Sequence, residues 1–363
     1  MISPTISQIG ELALIDDIRK QFSQKTRDVT VGIGDDAAVI QLGDTSLLVT
    51  TDMMVEGVHF DLRFITPYQL GFKLISVNVS DIYAMGGTPH HVLLNIALHK
   101  NTPAEFVYML MNGVKDAMNL YHAALVGGDL SSTRDGIALS ATLMGYARKY
   151  VLRSGADVGD GIYVTGSLGD SACGLYVLKK IKKTVSLNKK NVRGFMYAFG
   201  KKVGVMQSGT SGLSWKTVEP LVRRHLMPEA RNLHKFIRNV TAMIDISDGL
   251  LVDLTRLCNE SGTGAKIYEE KIPISPEMKK TAACFSIAPM VFALTGGEDY
   301  ELLFTGSEEA VSRVQSKSAI PVTVIGEITT APLGEITVVD RQGESVKLTR
   351  TGWDHFTTKS RIP

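Results

Sequence analysis

Apolar positions recurring every three to four residues mark residues 11–24, ELALIDDIRKQFSQ, as an amphipathic helix. The period then shortens. Ala37–Leu42 and Ser46–Thr51 are aliphatic runs on either side of Gly43-Asp44, which predicts two strands joined by a tight turn. A helical pattern runs from Pro67 to Met85 and stops at Gly86-Gly87. His91–Leu98 reads as a strand, Pro103–Tyr121 as a helix, and Leu125-Val126 and Gly136–Arg148 as further strands. Hairpins and crossovers alternate, so the fold class is α/β (α+β), with mixed sheets and flanking helices.

The polar, glycine-rich RSGADVGDG within Val151–Gly161 predicts a boundary, giving an N-terminal domain 1–152 and a C-terminal α/β domain 153–363. The second unit has a helix from Ser171, a strand at Ala242–Ile246, a helix from Asp248 to Asn259 and strands near Leu302–Thr305 and Val322–Ile328. There is no internal repeat.

The 363 residues are 44% hydrophobic and 21% charged, ordinary for a globular chain, and the net charge of +2 implies no strong global pull toward nucleic acid or anionic membrane. The first residues, MISPTISQIGELALIDD, do not read as a secretory signal, and no apolar run approaches a membrane span, so a cytoplasmic protein is expected. Cys173, Cys258 and Cys284 are isolated and odd in number, which fits buried apolar residues in a reducing compartment, not a disulfide framework or zinc site. Lys179 to Lys202 holds nine Lys/Arg and no acid; the expectation is a solvated helix or loop, not a nucleic-acid site. The GFMYAFGKK within it is not a P-loop: five residues separate its glycines, and Lys202 stands where Ser or Thr is needed.

Acids close the apolar runs. VGIGDDAAVI carries Asp35-Asp36, LLVTTDMMVEGVHF carries Thr50-Thr51-Asp52, and SVNVSDIYAMGG puts Asp81 on the helix face of Asn78. LVGGDLSST delivers Asp129, MIDISDGLLVDL delivers Asp245 and Ser247-Asp248, and TGGEDYELLF delivers Glu298-Asp299. Each has an ordinary local use: Gly34-Asp35 as hairpin chemistry, Ser247 as a helix N-cap, Asp129 and Glu298 as turn residues. Together, so many carboxylates beside glycines and hydroxyls need cations to be tolerable. With no Cys/His set, the oxygen-only donors point to magnesium, which is usually held by few carboxylates plus substrate phosphates. The carboxylates therefore predict a phosphate ligand. Glycines let backbone approach it, and the helix start at Ser247 offers N–H donors.

Taken in order, GIGDDAAVI, TTDMMVEGVHF, NVSDIYAMGG, LVGGDLSS, IDISDGLLVDL and GGEDYELLF, with a late Trp353, resemble the thiamine-monophosphate kinase family over roughly residues 30–356. That family shares a superfamily with aminoimidazole ribonucleotide synthetase. The resemblance implies ATP-dependent phosphorylation of thiamine monophosphate to thiamine diphosphate, several Mg2+ ions, a two-domain aminoimidazole-ribonucleotide-synthetase-like fold, and a homodimer joined through N-terminal-domain strands. By position it implies metal ligands at Asp35, Thr50, Thr51, Asp52, Asp81, Asp129, Asp245 and Asp248. It implies ATP contacts at Gly128, Asp129, Arg153 and Ser247, and substrate contacts at His59, Glu298 and Trp353. Asp36 is left as either a ligand or a turn residue. The basic stretch near 179–216 is longer than the resemblance requires.

The acceptor would be a phosphate monoester whose second pKa is near about 6, so no general base is expected. The alternatives are related synthetases and a non-catalytic nucleotide-binding homologue. A selenophosphate synthetase calls for an N-terminal reactive Cys, and the first 172 residues have none. The hydrogenase maturation protein calls for a terminal Cys, and the sequence ends SRIP. TTDMMVEGVHF with GGEDYELLF favours the kinase over the purine enzyme. Acids at every motif argue against loss of catalysis.

Overall fold

The computed structural model describes residues 5–22, 27–182, 184–187, 196–198, 201–203 and 213–346. The elements of the first half are α1 (Ile6–Ile9), α2 (Glu11–Gln21), β1 (Val29–Val31), β2 (Ala38–Leu42), β3 (Thr45–Val55), α3 (Pro67–Ala84), β4 (Thr88–His99), α4 (Ala104–Tyr121), β5 (Ala124–Thr133) and β6 (Ala138–Ala147). They build a six-stranded sheet, β1-β2-β3-β6-β4-β5, antiparallel except for the β4–β5 pair joined through α4.

The second half begins with β7 (Gly161–Thr165) and α5 (Asp170–Ile181), then a short ribbon of β8 (Met196–Ala198) and β9 (Lys201–Val203). It continues through α6 (Trp215–Leu226), β10 (Met243–Asp245), α7 (Leu250–Ser261), β11 (Gly264–Tyr268), α8 (Pro276–Cys284) and α9 (Pro289–Thr295). It ends with β12 (Leu302–Gly306), α10 (Glu308–Lys317), β13 (Val322–Thr329), β14 (Ile336–Val339) and β15 (Ser345–Val346). The second sheet runs β10-β12-β7-β13-β11-β14-β15. The chain changes sheets between Ala147 and Gly161.

Helix α3 positions the site. Thr66 and Gln69 cap it reciprocally, and Pro67 opens its first turn. It lies against α4 with almost no clearance: a Cβ on Gly71 would sit 2.1 Å from the Leu110 carbonyl oxygen, and one on Gly113 would sit 1.8 Å from that of Tyr68. Its apolar surface is buried all round because β3 and β6 cover one side and α4 another. Val177 and Leu178 of α5 and Val218, Val222 and Leu226 of α6 share that core, so the first core reaches past residue 153.

Three expectations change. Helix α2 forms, but Leu12, Ile15, Ile18 and Phe22 are exposed, so its apolar stripe adds nothing to the core; an exposed Arg19–Glu260 pair at 2.7 Å ties it to α7. Cys284 is exposed at the end of α8, whereas Cys173 and Cys258 are buried. Of the basic stretch, Lys179 and Lys180 are exposed in the last turn of α5, and Met196–Ala198 and Lys201–Val203 are strands, not a helix or loop; residues 183, 188–195 and 199–200 lie outside the described residues.

Candidate active site

Asp36, Asp81 and Asp245 converge from the loop before β2, from α3 and from the end of β10. Each offers an oxygen within 4.8 Å of the other two. The hydroxyl of Thr50 donates to Asp81 at 2.6 Å, and that of Ser80 donates to Asp245 at 2.6 Å, so α3 grips both a strand of the first sheet and one of the second. Beside them the Asp52 N–H donates to Asn78 Oδ1 at 3.1 Å. Asn78 and Asp81 thus share a helix face, as their spacing predicts.

The cluster is electrostatically incomplete. Two unit charges about 4.8 Å apart repel by roughly 3.5 kcal/mol at an effective dielectric of about 20. Burial first, and neighbouring carboxylates after it, push Asp81 well above the usual carboxylate range; burial and then the charge of Asp36 do the same to Asp245. Asp35 is pushed to about 7 by burial and Asp36, and Asp52 to about 6 by burial, Asp248 and Asp36. Arg153 is the cation in contact: its Nε donates to Asp36 Oδ1 at 3.1 Å, and a second guanidinium nitrogen bonds the same oxygen. Asp36 Oδ2 is buried with no hydrogen-bond partner. A buried orphan oxygen within a three-carboxylate group is the donor set of a hard divalent cation, so the residues fit magnesium.

The expected site residues do not all meet. Asp35 lies at the rim: its oxygens accept the N–H of Asp36 at 2.9 Å and of Arg153 at 3.1 Å, and Asp36 holds the place in the three-carboxylate group. Thr51 alternates to the opposite face of β3 from Thr50 and Asp52, where its hydroxyl donates to the Ala141 carbonyl at 3.1 Å. Asp129 pairs with Asn95 in register, in line with Ser140 and Met53, on the exposed face of edge strand β5; Asp52 lies on the other face, three strands away. Gly128 is required where it stands, with φ +146° and a built Cβ 1.8 Å from the Leu94 carbonyl oxygen. Trp353 lies outside the described residues.

The start of α7 differs from the expected N-cap. Gly249, at φ +118°, precedes the helix, and Ser247 stands two residues ahead of it. The N–H groups of Ser247, Asp248 and Gly249 donate to Asp253 Oδ2 at 3.0, 3.0 and 3.1 Å. A protein carboxylate therefore fills the nest that the sequence reading gave to phosphate, and Ser247 has its hydroxyl to offer a ligand. Arg256 bridges Asp253 at 2.9 Å and Asp248 at 2.6 Å.

The GGEDYE segment is laced to this loop: the Glu298 N–H donates to Ser247 O at 2.7 Å and the Tyr300 N–H to Ile246 O at 2.9 Å. Its three acids part company. Asp299 caps α5 by accepting the N–H groups of Gly169 and Ser171. Glu301 is fully buried against Arg224 and Arg231. Glu298 faces Lys73 of α3 at 2.7 Å and His225 of α6 at 3.0 Å.

Because Thr50 meets Asp81 and Asp52 meets Asn78, β3 and α3 run in opposite directions here. Lys73, eight residues before Asp81, is therefore about 12 Å along the helix, on the side where β3 ends at Val55. His59, whose Nδ1 accepts the Val55 N–H at 3.0 Å, is at that same end. Lys73, which holds Glu298, and His59 therefore lie toward the N-terminal half of α3, away from Asp81 along the helix. Sequence reasoning missed Asp36 as a cluster member, and with it Lys73, His225, Asp253 and Arg256. A lysine inside the apolar GFKLISVNVS was the one legible hint, since buried lysine is rare unless paired.

Family models for AIR synthase related proteins match both halves, the N-terminal domain over residues 34–147 and the C-terminal domain over 157–339. The chain is 35% identical to the thiamine-monophosphate kinase of Aquifex aeolicus (strain VF5), covering 97% of this chain and 99% of that one. It is 32% identical to the kinase of Escherichia coli (strain K12), over 96% of this chain and 99% of that one. The solved structure of AaThiL complexed with AMPPCP and TMP superposes with a TM-score of 0.79 at 32% identity, over 98% of this chain and 100% of that one.

Proposed function

The chain belongs to the thiamine-monophosphate kinase family, and from that premise we propose that it transfers the γ-phosphoryl group of ATP to thiamine monophosphate, giving thiamine diphosphate and ADP. The observation that carries the reading is the carboxylate cluster with its orphan Asp36 oxygen.

Asp36, Asp81 and Asp245 would hold Mg2+; of the further candidates carried by the resemblance, Asp35, Thr50, Asp52 and Asp248 lie on their side, whereas Thr51 and Asp129 face the other side of the first sheet. Bound there, the ions would neutralise the phosphates and keep donor and acceptor in line. The protein's own work is positioning. Arg153 holds Asp36. Asn78 fixes the backbone at Asp52. Gly128, Asp129, Arg153 and Ser247 are the proposed ATP contacts; His59, Glu298 and Trp353 the proposed contacts to the organic part of the substrate. No side chain need act as base, since the acceptor phosphate is mostly a dianion at neutral pH. Incubation with ATP, Mg2+ and thiamine monophosphate should yield thiamine diphosphate and ADP one for one. ATP turnover without that product would reject the assignment.

We read the protein as a cytoplasmic homodimer. Strand β5 supports a second copy: it is an uncovered sheet edge with Leu125, Val126 and Leu130 exposed. A monomeric mass by sedimentation at micromolar concentration would overturn the dimer. Among the described residues no helix is long and apolar enough to cross a membrane. Recovery in a membrane fraction would overturn the location.

A pH test follows from the cluster. Folded pKa values near 7 for Asp35 and near 6 for Asp52 lie above the ordinary 3.8. The folded state therefore binds more protons than the unfolded state between about pH 4 and 7, and metal-free stability falls as pH rises through that window. Mg2+ favours the ionised carboxylates. Its addition should raise Tm more at pH 8 than at pH 5.5; an equal rise at both, by scanning calorimetry, would mean that these acids do not bind it.

A further inference from the structure

We propose that Lys73, together with His225, is a positioning residue for the organic end of the substrate: it fixes the Glu298 carboxylate as an acceptor for the substrate's N–H donors. This rests on reading Glu298 as a substrate contact.

The geometry is one-sided. Lys73 Nζ is 2.7 Å from Glu298 Oε1, and its side chain is 1% exposed, whereas that of Glu298 is 27% exposed. His225 Nδ1 lies 3.0 Å from Oε2. Both oxygens are held from the protein side while the carboxylate still opens outward. An ionised carboxylate has about four acceptor positions, so two internal donors leave room for others. Burial, and then the charge of Lys73, lowers the pKa of His225, whose Nδ1 also lies 3.2 Å from the Ser171 hydroxyl; burial works against the Glu298 charge, but Lys73 and then His225 keep its carboxyl below the usual range. The Glu298 backbone is in the left-handed region at φ +65°, costly for a residue with a side chain and found where surroundings over-determine it.

Stability alone does not account for Lys73. A buried ion pair replaced by apolar side chains of similar volume is often neutral or stabilising. A methionine at 73 alone would strand the Glu298 carboxylate, so the pair is kept as a unit and not for the stability of the helix. Lys73 also stands about 12 Å of backbone rise along α3 from Asp81, so the same rigid helix carries a cluster carboxylate and the residue that holds Glu298.

Steady-state kinetics on the full chain at saturating Mg2+ test this. Glu298→Gln should raise KM for thiamine monophosphate tenfold or more and leave KM for ATP within twofold. Lys73→Met should show the same split, and the double variant should be no worse than Glu298→Gln alone, because Lys73 acts through Glu298. Lys73→Gln keeps a neutral donor to Oε1 but not the charge, so it should raise KM for thiamine monophosphate in the same direction but only several-fold, with KM for ATP within twofold; it covers the case in which Lys73→Met fails to fold. If Glu298→Gln raises KM while the Lys73 variants leave it within twofold, or raise both KM values alike, or add to Glu298→Gln in the double variant, the role of Lys73 is refuted. If Glu298→Gln leaves KM unchanged, the reading of Glu298 as a contact fails, and the proposal with it.

Discussion

Asp81→Asn is expected to lower kcat/KM by on the order of a thousandfold while making the metal-free protein more stable. The two effects share a cause. Asp81 is hemmed in by Asp52, Asp245 and Asp36, and its burial already works against its charge. An acid whose folded pKa is raised is destabilising at any pH where it must ionise, so the isosteric amide relieves the folded state at pH 8. The amide oxygen still accepts from the Thr50 hydroxyl, so local geometry survives. What is lost is a ligand charge at the centre of the cation site, and several kcal/mol of transition-state stabilisation corresponds to about a thousandfold in rate. Thermal melts without metal should shift upward, and the increment added by Mg2+ should shrink. A variant that keeps more than a tenth of its kcat/KM, or that melts lower without metal, would remove Asp81 from the metal site.

Asp253→Ala should destabilise the protein by about 3–5 kcal/mol, the largest stability effect expected of a residue here that need not touch substrate. Its side chain is fully buried. One oxygen takes three consecutive N–H groups and the other takes Arg256. Alanine strands all three donors and leaves the Arg256 cation with Asp248 alone. The loop that carries Asp245, Ser247 and Asp248 then loses its anchor, so activity should fall with stability. Asp253→Asn, which keeps an acceptor oxygen, should lie between. Urea unfolding curves decide the point: a loss under about 1 kcal/mol would mean that water replaces the carboxylate readily.

Much of this site was legible before any fold was known, because the chemistry is written in short segments. Carboxylates at the ends of apolar runs, with glycines beside them and no thiol or imidazole set, are unfavourable except around a hard cation. The 3.6-residue period placed Asn78 and Asp81 on one face. Strand alternation likewise follows from sequence, and the opposed faces of Thr50 and Thr51 are its consequence. What could not be read is which of two adjacent acids turns inward. Asp35 and Asp36 differ by one position in a turn, and the choice is made by Arg153, whose backbone N–H takes Asp35 while its guanidinium takes Asp36.

The same holds for groups that do their work through distant partners. Asp253 looks like an ordinary first-turn acid of a helix, but its carboxylate fills the N–H nest ahead of that helix. Lys73 looks like a flaw in an apolar helix until GGEDYE, more than two hundred residues later, brings Glu298 against it. The exposed apolar stripe of α2 is the converse: the period predicts the helix, but not whether anything covers it. Sequence determined most of the elements and the family, and it pointed to an oxygen donor set, since period, turn chemistry and donor type are local properties of the chain. Only the tertiary structure decided which carboxylates face one another and which cations hold them. Those depend on through-space distances of a few ångströms between segments whose separation along the chain carries no such information.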